Sequence, residues 1–158
     1  MRFIFLTFMT CISMSLFGQE KFPDGTLIPD WFRENKPVQV ETLGTKYVIT
    51  DFGVANDSTL LQTKKIQAVI DKAALTGGVV VVPKGTFLSG SLFFKPKTHL
   101  YLEKDAVLKG SDDISNFPIV TTRMEGQTLK YFAALVNADG VDGFTISGEG
   151  TINGNGLR

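Results

Sequence analysis

The sequence has few of the residues that support redox or metal chemistry. Its 158 residues include one cysteine, Cys11, and one histidine, His99. A single cysteine excludes an intramolecular disulfide framework, and a lone histidine with no cysteine partner is usually an ordinary strand-edge residue. We therefore predict no metal site and no cofactor site around these two side chains.

The sequence also lacks an excess of charge of either sign. It contains 16 Lys and Arg residues and 16 Asp and Glu residues, so its formal net charge at pH 7 is +0. Proteins that bind nucleic acid or an anionic membrane through charge carry a basic excess. We therefore expect neither nucleic acid nor a membrane as a partner, and the length suits one domain of ordinary size.

The first 18 residues, MRFIFLTFMTCISMSLFG, have the pattern of an export signal. Arg2 gives the positive start, an apolar centre follows, and Gly18 is a small residue before polar sequence. The apolar centre is shorter than the roughly 20 residues that span a bilayer. We predict that residues 1–18 are a signal peptide, which removes Cys11 on cleavage and directs the protein to the periplasm or the outside of the cell.

Residues 19–46 are polar and contain prolines, and we predict that they form an N-terminal arm. Trp31 in this segment either stacks on a sugar or pins the arm onto the body of the protein, and the second role is favoured. The main domain is predicted to begin at residue 47, with a first strand over residues 47–54.

One amphipathic helix is predicted at about residues 59–75. Thr59 and Gln62 resemble a capping box at its start, and the glycine pair at 77–78 ends it. Five apolar residues recur at helical spacing and form one stripe: Ile66, Val69, Ile70, Ala73 and Ala74. A helix with one apolar face is suited to cover the end of a stack of strands.

Three twelve-residue stretches resemble one another: VVVPKGTFLSGS, LYLEKDAVLKGS and FTISGEGTINGN. Their first positions are Val80, Leu100 and Phe144, which gives spacings of 20 and 44 residues. Such repeats indicate stacked units, each of which buries its apolar face against its neighbours. Glycine occupies the eleventh position each time, at Gly90, Gly110 and Gly154.

The strands around these stretches favour a parallel β-helix over a meander of hairpins. From residue 79 the chain has about three short strands in each 20 residues. Between residues 79 and 113 it has no Asn-Gly or Asp-Gly pair of the kind that hairpin turns prefer. The predicted helix would cap the exposed end of this stack. The additional length before the third stretch predicts a long loop at about 112–132, which leaves the coil and overhangs a groove.

Residues 50–156 carry an ordered set of motifs. A TDFG segment and the predicted helix come first, and VPKGTFLSG, LYLEKDAVLKGS and ISGEGTINGNG follow. In this order the motifs resemble the N-terminal part of the polygalacturonase-type glycoside hydrolases of family 28. The resemblance implies an all-β fold, a right-handed parallel β-helix of the pectin-lyase-like solenoid type, of which residues 47–158 form the first coils.

The resemblance also implies hydrolysis of α-linked galacturonic acid in pectin, with inversion at the anomeric carbon. Inversion uses two carboxyl groups roughly 6.5–9.5 Å apart, and a basic side chain would bind the substrate carboxylate. The family's catalytic signatures are expected after the matched region: an Asn-Thr-Asp stretch, a paired Asp-Asp, a Gly-His-Gly and an Arg-Ile-Lys. None follows it here, so we assign no catalytic residue and expect those residues beyond Arg158.

We accordingly expect this chain to be an inactive N-terminal fragment of an exported enzyme that acts on pectic polysaccharide or oligogalacturonide. The sequence leaves open whether the substrate is homogalacturonan or rhamnogalacturonan, and whether cleavage is internal or terminal. Two alternatives also stay open: a calcium-dependent pectate lyase, and a non-catalytic β-helix module that binds polysaccharide or has a structural role.

Several acidic residues are better interpreted as turn residues than as local catalysts. Asp112 and Asp113 are adjacent and point in opposite directions on an extended chain, which favours a helical cap or a solvent-facing position. Asp139 and Asp142 stand beside glycines, as turn residues do.

Neither the remaining acids nor the basic residues of the predicted loop define a site. Glu103 and Asp105 lie between the strands of one coil, and Glu149 occupies the matching turn of a later stretch. The sequence nevertheless lacks the dense oxygen cluster that calcium requires. The long loop and its border carry three residues able to contact an acidic sugar, although solvated charge is the simpler interpretation: Arg123, Lys130 and Tyr131.

Overall fold

The computed structural model describes residues 21–32 and 37–156, and these belong to two compact units that divide between residues 36 and 37. The predicted signal peptide, residues 1–18, lies outside the described residues. Within the described ranges, no helix has the length and apolar character needed to cross a membrane.

The described part of the first unit, residues 21–32, contains little regular structure. An antiparallel bridge joins Lys21 to Leu27, and a 3-10 turn spans Asp30–Phe32. Trp31 packs on Phe32 with 4.0 Å between ring centroids. The role of Trp31 in pinning the arm stays a prediction, because this contact is internal to the unit.

The second unit contains one α-helix and twelve strands among its described residues. Residues 37–46, predicted as arm, belong to this unit. In chain order the elements are β1 Thr45–Val48, β2 Asp57–Leu61, α1 Thr63–Thr76, β3 Gly78–Val82, β4 Gly85–Ser89, β5 Leu92–Phe93, β6 Thr98–Leu102, β7 Ala106–Gly110, β8 Ile119–Met124, β9 Gln127–Phe132, β10 Val136–Asn137, β11 Ile146–Gly148 and β12 Thr151–Asn153.

Three parallel sheets form the walls of a β-helix. One wall has the strand order β1-β3-β6-β11, the second β12-β7-β4-β2, and the third pairs β10 with β5. Strands that are neighbours in these walls come from successive turns of the chain and pair in parallel. The predicted all-β parallel β-helix is therefore confirmed.

The inward residues of successive coils stack on one another. Val80 lies opposite Leu100 in adjacent parallel strands, and Phe87 lies opposite Leu108 in the second wall. All four side chains belong to one buried apolar cluster. Burial of this kind is the main stabilising contribution to such a stack.

The third repeat was aligned wrongly by two residues in the first wall. Ile146, and not Phe144, lies opposite Leu100. Phe144 instead packs beside the core, 4.8 Å from the Phe94 ring centroid to centroid. The prediction failed because the segment between the second and third coils does not return at a constant spacing, so a match of letters does not fix the register.

Corner length explains a second, smaller difference in register. Two residues, 83–84, connect β3 to β4, whereas three residues, 103–105, connect β6 to β7. Paired residues are therefore one position further apart along the chain in the second wall, as in Phe87 and Leu108, than in the first, as in Val80 and Leu100. As a result Phe87, and not Leu88, lies opposite Leu108, although Leu88 and Leu108 hold the same position in the two twelve-residue stretches.

The helix begins at Thr63, later than the predicted residue 59. Residues 57–61 form β2 instead, and there the Asp57 Oδ1 accepts a hydrogen bond from the Thr59 amide at 2.8 Å. The glycine stop is confirmed, since the helix ends at Thr76 before Gly77, whose φ is +79°. The predicted stripe is buried at Ile66, Val69, Ile70 and Ala73.

The predicted first strand and the predicted loop both contain different structure. Residues 45–48 form β1, and the chain then turns through a 3-10 segment at Ile49–Phe52.

The segment predicted as a loop at 112–132 contains a 3-10 turn and the antiparallel pair β8–β9. Glu125 and Gly126 connect these strands with φ values of +50° and +83°, which is the geometry of a two-residue hairpin turn.

Candidate functional site

A polar groove of about 710 Å³ runs between the β8–β9 hairpin and the coil wall formed by β5 and β10. The overhang predicted for this segment is therefore present, although a hairpin forms it. The polar lining consists of Thr121, Thr122, Arg123, Thr128, Asn137 and Asp139. This combination of hydroxyl, amide and charged groups is able to bind a polar ligand.

The register of the hairpin places two basic residues on one face. Arg123 lies opposite Thr128, and Lys130 lies opposite Thr121. Residues directly opposite in an antiparallel pair project to the same face, and positions two apart along a strand share that face. Arg123 and Lys130 are thus on one face, whereas Tyr131, opposite Val120, is on the other.

Phe93 provides an exposed aromatic ring in the coil wall of the groove. It is 38% exposed and lines the groove together with Arg123. The Gln67 side chain fixes its backbone, because Oε1 accepts from the Phe93 amide at 2.8 Å and Nε2 donates to the Phe93 carbonyl at 2.8 Å. Sequence reasoning missed Phe93; the signal was the adjacent Phe94, since neighbouring strand residues face opposite sides.

Asn137 has a structural role in this wall. Its Nδ2 donates to the carbonyl oxygens of Leu92 at 3.0 Å and Ala134 at 2.7 Å. Its Oδ1 accepts from the Ala134 amide at 3.0 Å. The amide of Asn137 therefore holds β10 against β5 and positions Phe93, which lies opposite it in the pair.

The charges of the groove take no part in the ion pairs of the described residues. Those pairs join Lys46 to Glu41, Lys84 to Asp105, and Lys95 to Asp71. Arg123 and Asp139 both line the groove and belong to none of these pairs. Within residues 37–156, the guanidinium of Arg123 is therefore available to an anionic ligand.

The predicted interpretation of Asp113 as a cap is confirmed. Its Oδ1 accepts a hydrogen bond from the Ser115 amide at 2.9 Å, at the start of the 3-10 turn. The Ser115 hydrogen bonds hold the pKa of Asp113 below its ordinary value. A general acid of a glycosidase needs a raised pKa, so this carboxylate is suited to capping and not to protonating a leaving group.

The other acidic candidates lie in turns and corners. Asp139 and Asp142 are exposed and precede Gly140 and Gly143, whose φ values are +62° and +72°. Asp105 has a φ of +63° and its Oδ2 lies 3.2 Å from Lys84 Nζ. The turn interpretation of these residues matches their placement.

Two acidic residues at the coil corners have contacts of their own. The Asp105 carboxylate pairs with Lys84, and the Glu149 backbone amide, not its carboxylate, donates to the Leu102 carbonyl at 2.9 Å. Within residues 21–32 and 37–156, no group of three or more His, Cys, Asp or Glu side chains is placed to hold a metal ion.

His99 lies in β6, opposite Val79 of β3. Its Nδ1 is buried and has no hydrogen-bond partner in the described part of the chain. A base that no acceptor or donor orients is poorly suited to catalysis, which agrees with the interpretation of His99 as a strand residue.

Comparison with known proteins identifies relatives along most of the chain. The family described as "Rhamnogalacturonase A/epimerase, pectate lyase-like" matches residues 47–155. An exo-poly-α-D-galacturonosidase of Dickeya chrysanthemi is 34% identical over 146 residues, which cover 87% of this chain and 24% of the relative. A probable polygalacturonase of Vitis vinifera is 31% identical over 118 residues, covering 68% and 24%.

One further relative has a different description. A plasmin and fibronectin-binding protein A of Streptococcus pneumoniae is 34% identical over 86 residues, which cover 52% of this chain and 12% of that protein.

Solved structures of related enzymes share the fold. A hyperthermoactive exopolygalacturonase of Thermotoga maritima has a TM-score of 0.65 and 28% identity, covering 70% of this chain and 25% of that one. A family 28 exopolygalacturonase of Yersinia enterocolitica has a TM-score of 0.63 and 31% identity, covering 76% and 21%.

The match thus extends over more than half of the chain, while the chain spans about a quarter of the length of the first two curated relatives. The parallel walls, the helix and the order of motifs agree with this match. The predicted resemblance to polygalacturonases is confirmed, and the chain belongs to the rhamnogalacturonase A/epimerase, pectate lyase-like family.

Proposed function

We propose that this chain forms the N-terminal coils of an exported glycoside hydrolase that cleaves α-galacturonosidic bonds in pectin with inversion. The observation that carries the proposal is the family match over residues 47–155, together with relatives named as polygalacturonases. The described coils supply the scaffold and the polar groove, and the acid and base of the reaction would lie outside the matched region.

The chemistry of inversion explains why the local acids are not assigned to it. One carboxylic acid protonates the leaving oxygen, and a second carboxylate, roughly 6.5–9.5 Å away, activates water. Asp113 is a cap with a lowered pKa, and Asp105 is paired with Lys84. We therefore propose that this chain alone does not catalyse hydrolysis.

An assay on polygalacturonate tests the proposal. We expect no new reducing ends from the purified chain, and release of reducing ends by a longer protein that contains this chain and the family's acid pairs. Unsaturated products, detected by their ultraviolet absorbance, would instead indicate a lyase. Turnover by the chain itself that is lost in Asp113→Asn would contradict the assignment of catalysis to other residues.

Export is a separate part of the proposal and rests on the first 18 residues. We expect the protein in the periplasmic or extracellular fraction of its cell. An N-terminal sequence of the isolated protein that begins at Met1 would contradict cleavage of a signal peptide.

A second candidate function is a β-helix module that binds a macromolecule without cleaving it. The 34% identity to plasmin and fibronectin-binding protein A over 86 residues favours this candidate. The two functions differ in a measurable way, because a non-catalytic module in its longer form would retain pectin or protein binding and release no product.

A further inference from the structure

We propose that Phe93 and Arg123 form a subsite for one unesterified uronosyl residue of a pectic chain. The proposal deepens the proposed function and rests on it for the class of ligand. It adds that the groove recognises the free carboxylate, so that the subsite distinguishes galacturonate from its methyl ester and from galactose.

The first element of the subsite is the ring of Phe93. Sugars present an apolar face of C–H groups, and an exposed, rigid aromatic ring offers the matching surface. Phe93 lines the groove and is 38% exposed, whereas the next residue, Phe94, is buried in the core. The Phe93 ring is thus the aromatic surface that β5 presents to the hairpin.

The second element is the guanidinium of Arg123. A guanidinium binds a carboxylate through two parallel hydrogen bonds, one to each oxygen. Both oxygens of the ionised carboxylate are therefore needed as acceptors. A methyl ester has no charge and removes one of these oxygens as an acceptor. Lys130 lies on the same face of the hairpin and adds a second positive charge.

Hydroxyl groups complete the polar side of the groove. Thr121 and Thr128 flank Arg123, one two residues before it and the other opposite it in the hairpin. Each threonine hydroxyl is able to donate one hydrogen bond and accept two, which suits the hydroxyls of a sugar ring.

The coil wall is held in place before any ligand binds. Gln67 bonds both backbone groups of Phe93, and Asn137 bonds Leu92 and Ala134. A ring whose backbone is fixed in this way loses little conformational entropy on binding, which favours affinity.

Asp139 is the opposing charge in the same groove. Its carboxylate repels an anionic sugar, so it weakens binding and makes recognition depend on Arg123. We expect Asp139→Asn to increase affinity for an oligogalacturonate and to increase the preference for it over a neutral oligosaccharide, whose binding the carboxylate does not oppose.

Another aromatic and basic pair supplies a matched control. Phe52 has the same exposure as Phe93, 38%, and the Lys72 ammonium lies 4.6 Å from the centre of its ring. This ring face is covered by its own cation, so it offers no platform to a sugar. Substitutions of Phe52 and Lys72 likewise remove one aromatic ring and one positive charge, without touching the groove.

The test is a titration of the purified full chain with tetragalacturonate, its methyl-esterified form and galactotetraose, read by calorimetry. We expect Phe93→Ala and Arg123→Gln each to weaken tetragalacturonate binding about tenfold, which is the loss of one charge-assisted contact or one stacked ring. Phe93→Tyr is expected to retain binding, and Phe52→Ala and Lys72→Gln are expected to retain it within about twofold.

Thermal melts of each variant separate loss of binding from loss of folding, and Arg123→Gln on the exposed hairpin keeps the test valid where Phe93→Ala does not fold. Equal losses in the control pair, equal binding of the esterified tetramer, or no binding by the unaltered chain would overturn the subsite. Hydrolysis is measured separately in the longer protein. Binding with the expected pattern but without hydrolysis would overturn the proposed function and leave the subsite intact.

Discussion

The inner coils and the coil edge at β11 and β12 carry similar side chains in different environments. Leu100 and Leu108 are 1% and 0% exposed, whereas their register partners Ile146 and Ile152 are 48% and 40% exposed. Both sets are branched aliphatic residues at paired register positions. The difference therefore lies in whether a coil or a helix covers the residue from each side.

At the opposite side of the stack, α1 provides that cover. Ile66 and Ile70 on its inner face are 1% and 0% exposed and belong to the same buried cluster as Leu100. Stability in a stacked fold arises from each unit and from its contacts with its neighbours. The inner coils have both contributions, and β11 and β12 have fewer contacts in the described part of the chain.

The largest effect is expected from removing a buried side chain of the inner coils. Leu108→Ala should lower the free energy of unfolding by roughly 2–5 kcal/mol, because it leaves a cavity between stacked coils. Ile152→Ala, at the next register position, should cost less than about 1 kcal/mol because much of that side chain already faces solvent. Denaturant unfolding measures both, and equal losses would contradict the difference between the regions.

A smaller effect is expected from adding a methyl group at two glycines. A Cβ at Gly78 would lie 2.3 Å from the Thr45 carbonyl oxygen, whereas a Cβ at Gly154 would meet nothing within 4 Å. Gly78→Ala should therefore cost about 1–3 kcal/mol, as overpacking does, and Gly154→Ala should change stability by less than about 0.5 kcal/mol. Thermal melts compare them, and a tolerated Gly78→Ala would show that the covered end adjusts more easily than its packing indicates.

The smallest effect is expected from the ion pair that links α1 to the corner after β5. Asp71 Oδ1 lies 2.8 Å from Lys95 Nζ, and this hydrogen bond with Lys95 lowers the pKa of Asp71. Both side chains are about half exposed, so Asp71→Asn should cost only about 0.2–1 kcal/mol at pH 7.

The pH dependence of that ion pair has a definite sign. Because the folded-state pKa is lowered, the contribution is present above the unfolded value of about 3.9 and is lost as the pH falls through the folded-state pKa. The stability difference between Asp71→Asn and the unaltered protein should therefore decrease in acid. A difference that persists in strong acid would indicate a packing effect of the substitution.

The sequence was sufficient to predict the fold because the inner coils repeat at a nearly constant spacing. Val80 and Leu100 are one such pair, and their alignment was correct. The hydrophobic pattern does not show the length of a corner or the presence of the hairpin. The prediction therefore put Phe144 at the position that Ile146 occupies. The predicted capping box failed for a related reason, since Thr59 satisfies local hydrogen bonds in a strand as well as in a helix.

The candidate groove was only partly predictable. Arg123 and Lys130 were identified by charge, but their common face depends on the register of a hairpin whose turn has Glu125 where Asn or Asp is usual. Phe93 was not identified, because an apolar residue in a short strand gives no sign of which side is buried until the walls of the coil are known.

The hairpin has a consequence for how this scaffold can diversify. Strands β8 and β9 pair only with each other among the described strands, and the chain resumes the coil at β10 against β5. Its length and tip sequence can therefore change while the registers of the three walls stay as they are. The hairpin side of the groove can therefore vary under selection without loss of structural integrity, whereas the side that contains Phe93 belongs to a wall strand and is constrained by the coil.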